Sequence, residues 1–126
     1  MNVLLDACAL IALTHGELSA EAAFALQSAP EANVSVVSPW EIAIKAAGGK
    51  LRLEDSPAEW YRRLADRHGL RAIPLDDGTA FAAAAQPPIH RDPFDRVLVA
   101  LALAHDLTVL TSDENIRKYP GVRTLW

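Results

Sequence analysis

Short apolar runs rich in β-branched residues recur along the chain, and each gives way to a longer segment with helical spacing and a polar start. Asn2 to Leu5 reads as a first strand ending on Asp6, and Ala7 to Thr14 as a helix stopped by Gly16. Ser19 caps a second helix reaching about Ala29, with Glu21 near its positive end and Pro30 beyond its far end. Val34 to Val37 is the next strand. Ser38, Pro39 and Glu41 then start a helix with proline in the first turn, and Gly48 and Gly49 end it. Ser56, Pro57 and Glu59 spell a capping box with proline at the first helical position, opening a helix through Trp60, Tyr61 and Leu64 to His68, which Gly69 ends. Leu70 to Ile73 is a third strand. Asp76 or Asp77 caps an alanine-rich helix that stops before Pro87 and Pro88. Pro93 to Ala104 is a helix, apolar nearly all round and therefore expected to be central and buried. Thr108 to Leu110 supplies a fourth strand, Asp113 to Lys118 a short helix, and Val122 to Leu125 a last edge strand. Strands alternating with helices imply a mostly parallel sheet covered on both faces.

Length and composition narrow this picture. The 126 residues suit one domain spanning 1–126, large enough to bury about two thirds of the surface its unfolded chain would expose. Apolar residues make up 51% and charged residues 22%, the profile of a compact protein rather than a disordered one. The longest apolar stretch, Val97 to Ala104, is far shorter than the roughly 20 residues needed to cross a bilayer. With no basic segment and apolar signal core at the N-terminus, a cytoplasmic location is the expectation. Cys8 is the only cysteine. That excludes an internal disulfide and a cysteine zinc cluster, and its setting among Ala7, Ala9 and Leu10 predicts a small buried hydrophobe. A net charge of −4 argues mildly against a broad electrostatic grip on nucleic acid, although bound metal ions would offset clustered carboxylates.

The candidate chemistry lies in four acids: Asp6, Glu41, Asp95 and Asp113. Asp6 directly follows a strand, Glu41 and Asp113 follow strands within about a turn, and Asp95 sits in the first turn of the apolar helix. In open α/β sheets ligands bind outside the carboxyl ends of the strands, where strand order reverses, so these acids are placed to converge. Crowded carboxylates repel one another and raise each other's pKa, so a cluster ionised at neutral pH needs a compensating cation. Magnesium or manganese is the expected partner, because both take oxygen ligands and leave room for a substrate phosphate. Zinc is disfavoured without Cys or paired His spacing. One metal could activate water for in-line attack on phosphorus, and a second about 3.5–4 Å away could stabilise the leaving oxygen, which describes a phosphodiester hydrolase.

Each acid also has a plainer role. Asp6 and Asp113 fit helix caps, Glu41 fits a first-turn carboxylate, and Asp92 fits the cap of the helix that Pro93 opens. Local sequence does not separate the two readings, and capping and ligation can coexist.

The segments LLDACALIAL, VSPWEIAIKAAGGKL, IHRDPFDRVLVALALAHDLTVLTSD and IRKYPGVRTLW resemble those of PIN-domain ribonucleases, specifically the VapC-type toxins of toxin–antitoxin pairs. The resemblance runs over essentially the whole chain and keeps the order and spacing of the four acids. It implies a PIN-like three-layer α/β/α sandwich with a mostly parallel five-stranded sheet. It also implies a magnesium site formed by Asp6, Glu41, Asp95 and Asp113, with the Thr111 hydroxyl in support. The activity it implies is endoribonuclease cleavage of structured RNA, often transfer RNA, held in check by a small VapB-type antitoxin that covers the site. A symmetric dimer is the expected state, with a hetero-oligomer once antitoxin binds. Ala7 and Cys8 stand where relatives often carry Thr followed by His or Ser, a departure outside the metal ligands that bears on substrate preference.

Asp92, Arg91 and Arg96 surround the acidic step, and either arginine could steady a phosphate with its guanidinium fork. Lys45, one turn beyond Glu41, is placed to pair with it. His90 is read as holding its loop, and His15, His68 and His105 as helix-end residues. Trp40, Trp60, Trp126, Tyr61 and Phe94 read as core or interface anchors rather than base-stacking platforms. Two other function classes compete. A phosphoacceptor receiver domain also places aspartates at strand ends, but this chain lacks the adjacent acidic pair after its first strand. A catalytically idle PIN-like module binding RNA or protein would use the acids only as caps.

Overall fold

The computed structural model describes all residues from Met1 to Trp126. Five strands, β1 (Val3–Leu5), β2 (Ala32–Ser35), β3 (Leu70–Ile73), β4 (Thr108–Leu110) and β5 (Arg123–Leu125), form one sheet in the order β3-β2-β1-β4-β5. Every neighbouring pair is parallel. The connections carry helices α1 (Ala7–His15), α2 (Ala20–Ser28), α3 (Val37–Ala47), α4 (Pro57–His68), α5 (Asp77–Ala84), α6 (Pro93–His105) and α7 (Glu114–Arg117).

Alternation along the central strands divides the core into two layers. Val3 and Leu5 of β1, with Leu110 of β4, pack against Leu10, Ala25, Ile42, Trp60 and Leu64 on one face. Leu4 and Val109 point the other way, into a cluster with Val97 to Ala102, Ile116 and Tyr119. Leu4, Leu5, Val109 and Leu110 are fully buried, and each such side chain contributes about 1.5–3 kcal/mol of transfer free energy. The result is a three-layer α/β/α sandwich, as the alternating pattern requires.

Most boundaries lie within a residue of those read from sequence, but β2 is displaced by two at both ends. The expected strand from Val34 to Val37 begins two residues earlier and ends at Ser35, and Val36 has helical dihedrals (φ −57°, ψ −22°). Parallel pairing sets this register: Ala32 opposes Val3 and Ser35 opposes Ile73. Ser35 Oγ then accepts from Val37 N at 3.3 Å, and the turn delivers Val37 into the core cluster beneath α6. The β-branched Val-Val step therefore yields to tertiary packing.

The capping box at α4 is half formed. Ser56 Oγ accepts from Glu59 N at 3.3 Å, but Glu59 turns away to Arg62 at 2.8 Å and Ser56 N donates to Asp55 Oδ1. Helix α6 is buried from Val97 to Ala102, while Leu103 and the last turn emerge into solvent. No helix is long and apolar enough to cross a membrane.

Candidate metal centre

The order of the sheet puts β1 beside β4, with chain connections leaving in opposite directions on either side. Leu5 pairs with Leu110, so the residues that follow them, Asp6 and Thr111, leave the carboxyl edge side by side at the switch point. Thr111 is fully buried. Its hydroxyl donates to Asp6 Oδ2 and accepts from Asp113 N at 2.9 Å, so one side chain ties both acidic segments together.

Capping and clustering coincide at these positions. Asp6 caps α1, its Oδ1 accepting from Ala9 N at 2.8 Å, and Asp113 caps α7 through Asn115 N at 2.9 Å. Glu41 lies one turn into α3, with Oε2 3.2 Å from Lys45 Nζ. Asp95 lies in the first turn of α6 and is 6% exposed. The four acids thus arrive from four different elements on one rim.

Electrostatics registers their proximity. The Asp6 carboxyl is pushed up to about 6 by burial; the Thr111 and Ala9 hydrogen bonds oppose this, and the Asp113 and Glu41 charges add to it. Asp95 is pushed further, to about 8, by burial and then by the charges of Asp92, Asp113, Glu41 and Asp6. For Lys45, burial favours the neutral amine, but the Glu41 hydrogen bond and charge outweigh it and the pKa rises.

The donor set suits a hard divalent cation, since all four groups offer carboxylate oxygen. Asp95 Oδ2 is buried with no hydrogen-bond partner, and two of the acids are held away from their ionised form. A cation among them would relieve both conditions. The largest cavity, about 520 Å³ and lined by Leu13, Leu26, Pro30 and Arg71 among others, opens at the amino ends of β2 and β3 and contains none of these acids.

The neighbouring residues divide. Asp92 caps α6 through Phe94 N at 2.9 Å and is the charge that raises the Asp95 pKa most. Arg96 is committed to the protein, with Nη2 donating to Ala84 O at 3.1 Å and Gln86 O at 2.6 Å. It ties the end of α5 to α6 instead of holding its fork out for a phosphate. Cys8 is exposed, not buried as its apolar neighbours suggested, because the first turn of α1 presents it toward the rim. Partial desolvation and the Asp6 charge push its thiol up to about 11, so it is not a nucleophile at neutral pH. Trp60 is a core anchor whose indole N–H donates to Thr14 Oγ1 at 3.0 Å, whereas Trp40 is 55% exposed and tilted against Phe94 at 5.1 Å.

His90 is the residue sequence reasoning undervalued. Beyond holding its loop, its Nδ1 stands 3.2 Å from Asp95 Oδ2. His90, Asp92 and Asp95 can bring ligand atoms within 4.8 Å of one another. The spacing of His90, five residues ahead of an acid in a helix's first turn, was the available signal.

A parallel α/β/α sandwich with carboxylates gathered at its switch point defines an acidic-rim α/β protein, and comparison with known families places it. The PIN domain profile matches residues 3–122, and the chain belongs to that family. It is 30% identical over 112 residues to Ribonuclease VapC22 of Mycobacterium tuberculosis, covering 86% of this chain and 85% of that protein. Two solved structures share the fold. VapBC2 from Rickettsia felis, bound to a promoter DNA fragment, superposes with a TM-score of 0.71 at 12% identity, covering 99% of this chain and 98% of that one. A toxin–antitoxin complex from Klebsiella pneumoniae gives 0.67 at 22% identity, covering 95% and 94%.

Proposed function

We propose that the protein is a VapC-type toxin: a magnesium-dependent endoribonuclease that cuts structured RNA, transfer RNA foremost, and is silenced by a VapB-type antitoxin. The observation that carries this reading is the mutually repelling carboxylate cluster at the switch point, with Asp6 and Asp95 buried, in a PIN-domain chain 30% identical to a ribonuclease.

Asp6, Glu41, Asp95 and Asp113 would hold Mg²⁺, with Mn²⁺ as a substitute. When bound, the ion supplies Lewis-acid polarisation of the phosphodiester and lowers the pKa of the attacking water. The chain's own residues set the stage. Thr111 holds Asp6 against the start of α7 and keeps the rim in register. Lys45 pairs with Glu41 at the rim and holds its carboxylate in place. Burial and the neighbouring acids favour a protonated Asp95 near neutral pH, and a bound cation would favour its ionised form. Because a formal net charge of −4 gives little general attraction for RNA, substrate binding relies on the cation and on RNA shape rather than on a basic face.

An antitoxin segment that presents a basic side chain to the rim would occupy the same carboxylates, which explains inhibition by simple competition. The toxin is expected as a homodimer that joins antitoxin in a hetero-oligomer in the cytoplasm. Incubating total transfer RNA with purified protein and Mg²⁺, beside an Asp95→Asn variant and a chelator control, tests the activity. Discrete fragments are expected only from the unmodified protein with metal, with the variant slower by about 10³-fold or more. Intact RNA in every lane would favour a catalytically idle binding module.

A further inference from the structure

Two buried polar atoms in the acid cluster face each other unpaired. His90 Nδ1 and Asp95 Oδ2 are 3.2 Å apart, yet neither completes a hydrogen bond in this geometry. His90 is not there by chance of a loose loop. Its backbone is clamped on both sides by one hydroxyl: the Tyr119 OH accepts from His90 N and donates to His90 O, each at 3.3 Å. Tyr119 is 2% exposed and belongs to the core cluster under α6, so the clamp is anchored in the hydrophobic core.

Two of the three cations nearest in sequence to the rim are already committed, and the third, Arg91, is exposed and forms no ion pair with Asp95. Lys45 is paired with Glu41 and Arg96 with the carbonyls of Ala84 and Gln86. His90 Nδ1 is the one basic side-chain nitrogen within ion-pair distance of Asp95, and the charges that act most strongly on this carboxyl are acids. A carboxylate turns easily about its last torsion, and an unoriented one makes a poor ligand. Polar contacts of this kind are often long or misaligned in an empty site and tighten on loading.

We propose that His90 is a positioning residue for the metal centre: held by Tyr119, it donates from Nδ1 to Asp95 Oδ2 and leaves the other carboxylate oxygen aimed at the cation. This rests on the metal-dependent reading of the four acids. Groups that hydrogen-bond a metal ligand in this way fix its orientation and so tune metal affinity without touching the ion.

The test titrates Mn²⁺ alone into metal-free protein by calorimetry, with circular dichroism melts to confirm folding. His90→Leu removes the donor, and its affinity should fall about 10- to 100-fold. His90→Asn places an amide N–H where Nδ1 stands, and it should stay within about threefold of the parent. Tyr119→Phe unclamps the loop while keeping the buried ring, so it should weaken binding in the same direction and carries the test if the leucine variant does not fold. Parent-like affinity in the folded leucine or phenylalanine variant would overturn the inference alone. Equal losses in the leucine and asparagine variants would overturn it in favour of direct ligation by the ring. A parent that binds no Mn²⁺ would overturn the metal reading with it.

Discussion

Asp95 sits 6% exposed among Asp92, Asp113, Glu41 and Asp6, and burial with those charges lifts its carboxyl from 3.8 to about 8. Asp6 is lifted from 3.8 to about 6. As pH rises past 3.8 the unfolded chain loses these protons first while the native state keeps them, so the native state binds more protons and stability falls with pH. The fall continues until pH passes about 8, where the native Asp95 also ionises. In chelator, the denaturant midpoint should therefore drop from pH 5 to pH 8 by an amount worth about a few kcal/mol. Added Mg²⁺ should restore it at the upper end. A flat or rising profile in chelator would mean that the acids do not burden one another. At this scale the sequence supplied the residue types but not their environments: Cys8 among alanines reads as buried until the helix turns it outward, and Arg96 beside an acid reads as free until two carbonyls claim it.

Caps and strand ends carry most of the information at the scale of elements. Asp6, Ser19, Ser56, Asp76, Asp92 and Asp113 each bond a backbone N–H of the following helix, and all but the choice of Asp76 over Asp77 were legible because capping is a short-range property of a few adjacent residues. What short-range reasoning misses is competition for a side chain. Glu59 fits a reciprocal capping box, but Arg62 one turn on takes its carboxylate and the box stays open. Ser56→Ala should therefore cost about 1 kcal/mol, and Glu59→Ala less than about 0.5 kcal/mol, in thermal or denaturant unfolding, with RNA cleavage unchanged in both. Equal losses would show that the box closes in solution. The early end of β2 has the same origin: only pairing with β1 and β3 decides that Ser35 is its last residue.

For the whole molecule, the decisive event is the placement of β4 next to β1, which joins Thr111 to Asp6 across 105 positions of sequence. Alternating strands and helices announce a parallel sheet, but the order β3-β2-β1-β4-β5 depends on which faces pack, and no local pattern encodes it. That order gathers acids from the starts of α1, α3, α6 and α7 at one edge, where burial and mutual repulsion favour either protonation or a bound cation. On the proposed function, the same edge is where a phosphodiester would meet them and where an antitoxin would bind. The most direct measurement is a calorimetric titration of metal-free protein with Mg²⁺ at pH 7, in two buffers of different ionisation enthalpy. With Asp95 near 8 and Asp6 near 6, binding should release about one proton per protein, and Asp95→Asn should abolish that release. Binding without proton release, or no binding, would contradict the claim that these carboxylates form one metal centre.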